Sequence, residues 1–216
     1  MRTCSNAARR AAAWLAIWLC AGAAQAAALG SAAFELKAAA VPAACQFHFP
    51  DGNGWDYGEI PAGRLSASAY TALNGGDKRL RLSCDAPTRV ALQFSDARGG
   101  KAGADDQFGL GGGLRQSLGY HQLDLLPSAL AARDGEAAHA RAYYGVSADG
   151  RAWQPLPGGG MVRHGAYYTV VDGSGQPLTF TRWQAGFRSS VMLAPGLQAR
   201  DRVEFDGLVA ITLHYI

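Results

Sequence analysis

The sequence lacks the residue clusters on which most enzymes depend. Its only Gly-Ser-Gly segment, residues 173–175, has none of the outer glycines of a nucleophile elbow, and a hairpin tip is the simpler interpretation. We expect the histidines to be solvated or partly packed surface residues, because no two have the spacing of paired metal ligands. The five histidines are His48, His121, His139, His164 and His214. We therefore predict that the protein is not an enzyme and has no cofactor.

Long apolar runs are also missing, apart from one near the start of the chain. Residues 11–24 are apolar but too short and too rich in alanine to span a membrane as a helix. Three arginines precede this run, and Ala24-Gln25-Ala26 follows it, which is the pattern of a secretory signal peptide with its cleavage site. A second candidate site is Ala26-Ala27-Ala28. The pattern predicts a signal peptide over residues 1–26, export, and no membrane span after cleavage.

Net charge is close to zero once this segment is removed. The signal holds three of the 20 basic residues and no acidic one, which leaves 17 of each sign. A protein without excess positive charge has no electrostatic attraction for phosphate backbones. The composition therefore argues against nucleic acid as a partner.

Cysteine is scarce as well. Of four cysteines, Cys4 and Cys20 lie in the signal, which leaves Cys45 and Cys84 in a compartment that permits disulfides. A zinc site needs more ligands than two isolated thiolates provide. We expect a structural Cys45–Cys84 disulfide, which the chain-entropy model values at roughly 4 kcal/mol.

What the chain does have is period-two alternation and 28 glycines, a composition that favours short strands and turns. We predict an antiparallel β-sandwich, and the alanine-rich stretch 128–141 fits either a short helix or a loop. Two hairpins are expected, one turning at residues 85–87 and the other at Asp149-Gly150. The predicted strands are 32–41, 45–49, 55–60, 79–84, 90–94, 118–126, 143–147, 152–156, 166–171, 178–183, 190–193, 202–205 and 209–216.

The two terminal strands are the most informative elements. Side chains that alternate with polar or small residues give each strand one apolar face: Val209, Ile211, Leu213 and Tyr215 in the last strand, and Phe34, Leu36 and Ala38 in the first. Monomeric proteins usually blunt such regular edge strands. The first strand either pairs within its own complete sandwich or adds to the sheet of a neighbour by β-augmentation.

Aromatic side chains suggest a second kind of function. Trp153 and Trp183, with the pairs Tyr143-Tyr144 and Tyr167-Tyr168, are candidates for a face that binds glycans or a protein. Successive residues of a strand point to opposite faces, so one ring of each tyrosine pair is expected in the core. The alternative function is thus a self-complete secreted β-sandwich that binds a glycan or protein partner through surface aromatics.

Several segments together resemble chaperone–usher fimbrial subunits, in particular a poorly characterised fimbrial-like branch known as a domain of unknown function. The resemblance rests on residues near the two cysteines, on the penultimate tyrosine and on a middle segment that ends at a tryptophan. These segments are Val41-Pro42-Ala43-Ala44-Cys45, Trp55-Asp56-Tyr57-Gly58-Glu59-Ile60-Pro61, Leu80-Arg81-Leu82-Ser83-Cys84-Asp85-Ala86-Pro87-Thr88, Ser147-Ala148-Asp149-Gly150-Arg151-Ala152-Trp153 and the ending at Tyr215.

The resemblance implies an immunoglobulin-like, pilin-like sandwich that lacks its final strand and is completed by a donor strand. It implies a donor strand within residues 27–44 and a sandwich domain over 45–216, whose strand 207–216 pairs with a periplasmic pilus chaperone. The donor residues would be Phe34, Leu36 and Ala38, and the groove residues Val209, Ile211, Leu213 and Tyr215. Other implied partners are an outer-membrane usher and neighbouring fimbrial subunits, with a host glycan as a further candidate. The protein would pass through the periplasm to a cell-surface fimbria.

Overall fold

Antiparallel strand pairing organises nearly all of the described chain. The computed structural model describes residues 43–98, 103–112, 118–197 and 203–216. Its strands are β1 (Cys45–His48), β2 (Thr71–Thr88), β3 (Val90–Asp96), β4 (Phe108–Gly112), β5 (Gly119–Arg133), β6 (Tyr143–Ser147), β7 (Gln154–Leu156), β8 (Gly160–Met161), β9 (Tyr167–Val171), β10 (Phe180–Leu193), β11 (Phe205–Gly207) and β12 (Val209–Tyr215). Two short 3₁₀ turns, Ala62–Arg64 and Gly135–Ala138, provide the helical structure of these residues.

The strands form two sheets. One has the order β1-β2-β10-β5-β4-β11, with β8 added to β5, and the other has the order β12-β3-β9-β6-β7. Buried side chains from both sheets pack into one core, among them Leu82 and Phe187 from the first sheet and Phe94 and Tyr168 from the second. The predicted all-β antiparallel sandwich is confirmed.

The last two strands join the sheets at one side. Phe205–Gly207 pairs with β4 in the first sheet, and Val209–Tyr215 pairs with β3 in the second. Only Leu208 separates the two strands, and its carbonyl accepts a hydrogen bond from the Ala97 amide at 2.9 Å. The C-terminal run therefore passes from one sheet to the other without a loop.

One predicted hairpin forms and the other does not. β6 and β7 pair around Asp149-Gly150, where Gly150 has the positive φ of 74° that favours glycine. The hairpin predicted across residues 85–87 is wrong, because β2 pairs with β1 and β10 while β3 pairs with β12 and β9. The chain crosses between the sheets at this point instead of folding back on itself.

Of the two interpretations of residues 128–141, the helix is wrong, and the first part of the stretch is not a loop either. β5 continues to Arg133 because Ala131 and Ala132 pair with β10. Asp134 and Gly135 then have positive φ values, which a right-handed helix does not accommodate, and one 3₁₀ turn follows. Sheet pairing thus overrides the helix propensity of alanine. No helix in the described ranges has the length and apolarity to cross a membrane.

Other strand boundaries differ from the sequence interpretation. Residues 180–183 of one predicted strand and all of the strand predicted at 190–193 belong to β10, a single strand of 14 residues. Residues 55–60 form no strand, and the predicted strand 32–41 lies outside the described residues. The strand predicted at 202–205 is described only from residue 203, and β11 begins at Phe205.

The alternation of β2 leads to a direct test of the core. Leu82 is 1% exposed, whereas its neighbour Arg81 is exposed on the other face. Leu82→Ala should lower the free energy of unfolding by about 2–5 kcal/mol, because it removes apolar contacts and leaves a cavity. Arg81→Ala should change it by less than about 0.5 kcal/mol. Urea unfolding of both variants provides the measurement, and equal losses would contradict this orientation of β2.

Candidate functional site

Within the part of the chain that the structure describes, a seam that no strand occupies lies between the first strand, β1, and the last, β12. β1 is the edge of one sheet and β12 is the edge of the other, and each pairs with a single described strand, β2 and β3 respectively. At one end of the seam the sheets are joined by the passage from β11 to β12. The seam is therefore the place where a further strand could be added.

A large apolar groove follows this seam. Its volume is about 1420 Å³, beyond the range of about 300–1,000 Å³ that is usual for small-molecule pockets. Phe94, Phe187 and Leu123 contribute to its lining from the core, with Phe94 and Phe187 ring centroids 5.7 Å apart. The volume and the lining suit a peptide segment better than a compact polar ligand.

The alternation of hydrogen bonds along β12 shows which of its backbone groups face the seam. The Ile216 amide donates to the Arg89 carbonyl at 3.2 Å, and Leu208 is bonded to Ala97, so even-numbered residues of this run bond to β3. Alternate residues of an antiparallel strand point their N–H and C=O groups to opposite sides. The backbone groups of Val209, Ile211 and Leu213 therefore point away from β3, toward the seam.

β1 shows the same arrangement on the other wall. The Asp85 amide donates to the Ala44 carbonyl at 3.1 Å, so even-numbered residues of β1 bond to β2. Cys45 and Phe47 then direct their N–H and C=O groups toward the seam. The Cys45–Cys84 Cα separation of 4.1 Å fits a pair without mutual backbone hydrogen bonds. A strand inserted between β1 and β12 would thus find main-chain donors and acceptors on both sides.

The two edge strands meet at one end of the seam. The amide of Cys45 donates a hydrogen bond to the Tyr215 hydroxyl at 3.3 Å, although the ring of Tyr215 is 48% exposed. The Cys45–Cys84 disulfide is present as predicted, and it joins β1 to β2 beside this contact. The groove opens from this end toward Gly207.

Residues 55–60 form part of a groove wall through side-chain contacts in place of a strand ladder. The Trp55 indole donates to the Gly76 carbonyl at 3.0 Å, and the Tyr57 hydroxyl lies 2.7 Å from Ser189 Oγ. Burial raises the pKa of Tyr57, against the hydrogen bond to Ser189. A Cβ at Gly75 would come within 2.7 Å of the Tyr57 hydroxyl, so glycine is needed for this close approach.

His121 is the polar exception in this apolar lining. It lies on β5 opposite Phe108, is 8% exposed, and lines the groove. Its Nε2 atom is buried without a hydrogen-bond partner. A Cβ at Gly207 would lie 2.7 Å from that nitrogen, so the ring end packs against backbone. Burial lowers the pKa of His121, and the negative charge of Asp96 acts in the opposite direction.

The residues predicted for the groove strand occupy different positions. Val209 and Ile211 line the groove, while Leu213 packs against the core without lining it. Tyr215 is exposed at the end of the seam where β1 and β12 meet. The predicted donor residues Phe34, Leu36 and Ala38 lie outside the described residues, so the structure bears only on the receiving side.

The predicted aromatic ligand face is not present as proposed. Trp183 is 2% exposed and packs against Phe180 in the core, so its ring cannot stack on a sugar. Its inclusion among ligand-binding aromatics is wrong, because β10 places it on the inner face. Trp153 is half-buried next to the β6–β7 turn. In each tyrosine pair the second ring is buried, Tyr144 and Tyr168, as the alternation of strands requires.

Several groove residues were not predicted, although their alternation in the sequence places them on an inner face. Phe47 and Phe49 alternate with polar residues directly after Cys45, which indicates one apolar face. His121 is in phase with Leu123 and Leu125 on β5, so period two already places it on the inner face. The expectation that His121 is a surface histidine is wrong for this reason. The described residues contain no group of three or more potential metal ligands.

The described strands form an antiparallel sandwich with a seam between β1 and β12 that no described strand occupies. Comparisons with known proteins give two similarities. Residues 35–113 match a family model described as a protein of unknown function, DUF1120. The chain is also similar to the uncharacterized protein YhcF of Escherichia coli strain K12. The two are 24% identical over 212 residues, a match that covers 84% of this chain and 89% of the relative.

Because His121 is buried, the stability of the protein should depend on pH. A histidine whose pKa is lowered on folding binds protons more readily in the unfolded chain, so the free energy of unfolding falls as pH drops below about 6.5. Wild type should lose more stability than His121→Gln between pH 7.5 and 5.5, as measured by urea unfolding. The other histidines are common to both proteins. Equal losses would show that His121 protonates as easily in the folded state.

Proposed function

We propose that the protein is an exported structural subunit of a fimbria, assembled by donor-strand exchange. In this proposal an extended strand from a partner occupies the groove between β1 and β12, first from a periplasmic chaperone and then from a neighbouring subunit. The observation on which the proposal depends is the seam itself, where two strand edges direct backbone groups toward one apolar groove. The resemblance of the cysteine segments and the C-terminus to fimbrial subunits gives independent support.

The energetics favour a strand as the occupant. Each large apolar side chain buried in the groove contributes about 1.5–3 kcal/mol, and each main-chain hydrogen bond contributes about 0.5–1.5 kcal/mol. Open strand edges beside an apolar groove are an aggregation hazard in a monomer. An inserted strand pairs with the open strand edges and covers the apolar groove at the same time, which is the physical basis of β-augmentation.

The N-terminal segment of this chain is long enough to serve the next subunit. Residues 27–42, the start of the predicted mature chain, would extend over about 53 Å, whereas the seven residues of β12 span about 23 Å. In the proposal Phe34, Leu36 and Ala38 enter the groove of a neighbour, and an outer-membrane usher orders the exchange.

The first test is stabilisation by a peptide. A synthetic peptide covering residues 27–44 should raise the free energy of unfolding of the mature protein by about 2.7 kcal/mol at one hundred times its Kd. A peptide with Phe34→Ser and Leu36→Ser is the matched control and should have little effect. Urea unfolding gives the measurement. A protein that is stable alone and indifferent to both peptides would favour a self-complete fold.

A mixing experiment separates donor from acceptor. One variant carries Ile211→Lys, which places a charge in the groove but keeps residues 27–40, and the other lacks residues 27–40 but keeps the groove. Each should remain monomeric alone, and the mixture should form a 1:1 complex by size-exclusion chromatography with light scattering. Thr212→Lys, on the exposed face of β12, is the matched control for the added charge and should leave polymerisation intact.

Two outcomes would contradict head-to-tail exchange. If the mixture stays monomeric while the deletion variant is as stable as wild type, the groove needs no partner. If Ile211→Lys alone polymerises like Thr212→Lys, strands do not enter at β12.

A further inference from the structure

The outer face of the first sheet carries a diagonal row of arginines. Arg79 and Arg81 lie two residues apart on β2. Arg182 of β10 lies opposite Ser83, the next residue of that face, and Arg133 of β5 lies opposite Arg182. All four arginines are exposed, and neighbouring members are about 5–8 Å apart in the geometry of a sheet. We call Arg79, Arg81, Arg182 and Arg133 the arginine row.

Two carboxylates next to this row already have partners within the chain. Both the Nε and the Nη2 atoms of Arg188 donate hydrogen bonds to Asp77, at 2.7 and 3.0 Å. Asp134 accepts hydrogen bonds from Thr181 and from Arg182, so one charge of the row is neutralised. Neither acid is therefore a counter-charge for the arginines of β2.

Arg79 and Arg81 have no carboxylate partner among the described residues. Asp85 is on the same face of β2 but lies about 13 Å from Arg81 along the strand. The residue opposite Arg81 on β1 is His48, which carries no negative charge. Like charges on neighbouring positions of one face repel each other, so this pair does not stabilise the fold. An external anion would relieve the repulsion.

The chemistry of the row suits a linear polyanion that also carries hydroxyl groups. A guanidinium presents a planar fork of donors that matches the oxygens of an acidic group. Ser83 and Gln46, which lie opposite each other on β2 and β1, add a hydroxyl and a carboxamide beside the arginines. Because the charges follow a line across three strands, they fit a chain of repeated acidic groups better than a single small anion.

We propose that the arginine row binds an acidic polysaccharide, whose carboxylate or sulfate groups pair with Arg79 and Arg81. None of the four arginines lines the groove, so this surface is separate from the one that accepts a strand. A membrane surface fits less well, because membrane binding gains from apolar side chains that enter the bilayer. The row contains none of the exposed large apolar side chains of the described residues.

Binding of a heparin octasaccharide to the full mature chain tests the inference, measured by isothermal titration calorimetry at low ionic strength. The double variant Arg79→Gln with Arg81→Gln should bind about ten-fold more weakly, because two exposed ion pairs are lost. Arg64→Gln with Arg151→Gln is the matched control, since it removes the same charge at two exposed arginines outside the strands. The control should bind within about two-fold of wild type, because distant exposed charges are screened.

A lysine variant separates charge from the geometry of the guanidinium. Arg79→Lys with Arg81→Lys keeps both positive charges but loses the fork of donors, so its affinity should fall between those of wild type and the glutamine variant. Urea unfolding of all variants should match wild type, because exposed side chains contribute little to stability. A neutral dextran oligosaccharide of the same length should not bind.

Four outcomes would overturn the inference. Heparin may bind neither wild type nor any variant, or the glutamine variant may bind it as tightly as wild type. The control variant may lose as much affinity as the glutamine variant, which would indicate attraction by net charge alone. Phosphatidylglycerol vesicles or a DNA duplex may bind more tightly than heparin with the same dependence on Arg79 and Arg81, which would assign the row to a membrane or a nucleic acid.

Discussion

The hydrogen bonding of the last strand is the constraint on which the rest of the structure depends. β12 pairs with β3 along its whole length, so its odd-numbered residues direct their backbone groups to the other side. Main-chain N–H and C=O groups need partners, whether protein or water. Along the seam these groups stand beside an apolar groove, where water is a poor neighbour for the side chains. A strand satisfies both the polar edge and the apolar lining.

Contacts at both ends of the seam fix the positions of the two described strands that border it. At one end the Cys45–Cys84 disulfide fixes β1 in register with β2, and the Tyr215 hydroxyl accepts a hydrogen bond from Cys45. At the other end the chain passes through Leu208 from one sheet to the other, which anchors β12 to β3 and β11 to β4. β1 cannot slide across to pair with β12 without breaking these links. The groove is thus a consequence of topology and covalent structure, and it does not depend on a single side chain.

The sequence predicted what local periodicity determines and missed what tertiary pairing decides. Period-two alternation correctly indicated the buried face of β2, and Asp149-Gly150 correctly indicated the β6–β7 hairpin. The turn at residues 85–87 was misread because the same local signal serves a hairpin and a crossing between sheets. The alanine-rich stretch was misread because pairing with β10 is a long-range effect. Residues 55–60 of the groove wall were misread as a strand, because the side-chain contacts of Trp55 and Tyr57 hold them in place without a strand ladder.

His121 shows how a buried polar residue constrains its neighbours. Its Nε2 is buried under the backbone of Gly207 without a hydrogen-bond partner, and its ring packs against Phe108. A buried polar atom that is left unpaired costs about 1–3 kcal/mol. The charged imidazolium would cost more in the same place, and burial therefore lowers the pKa of His121. Gly207 is part of this arrangement, because a side chain there would clash with the ring.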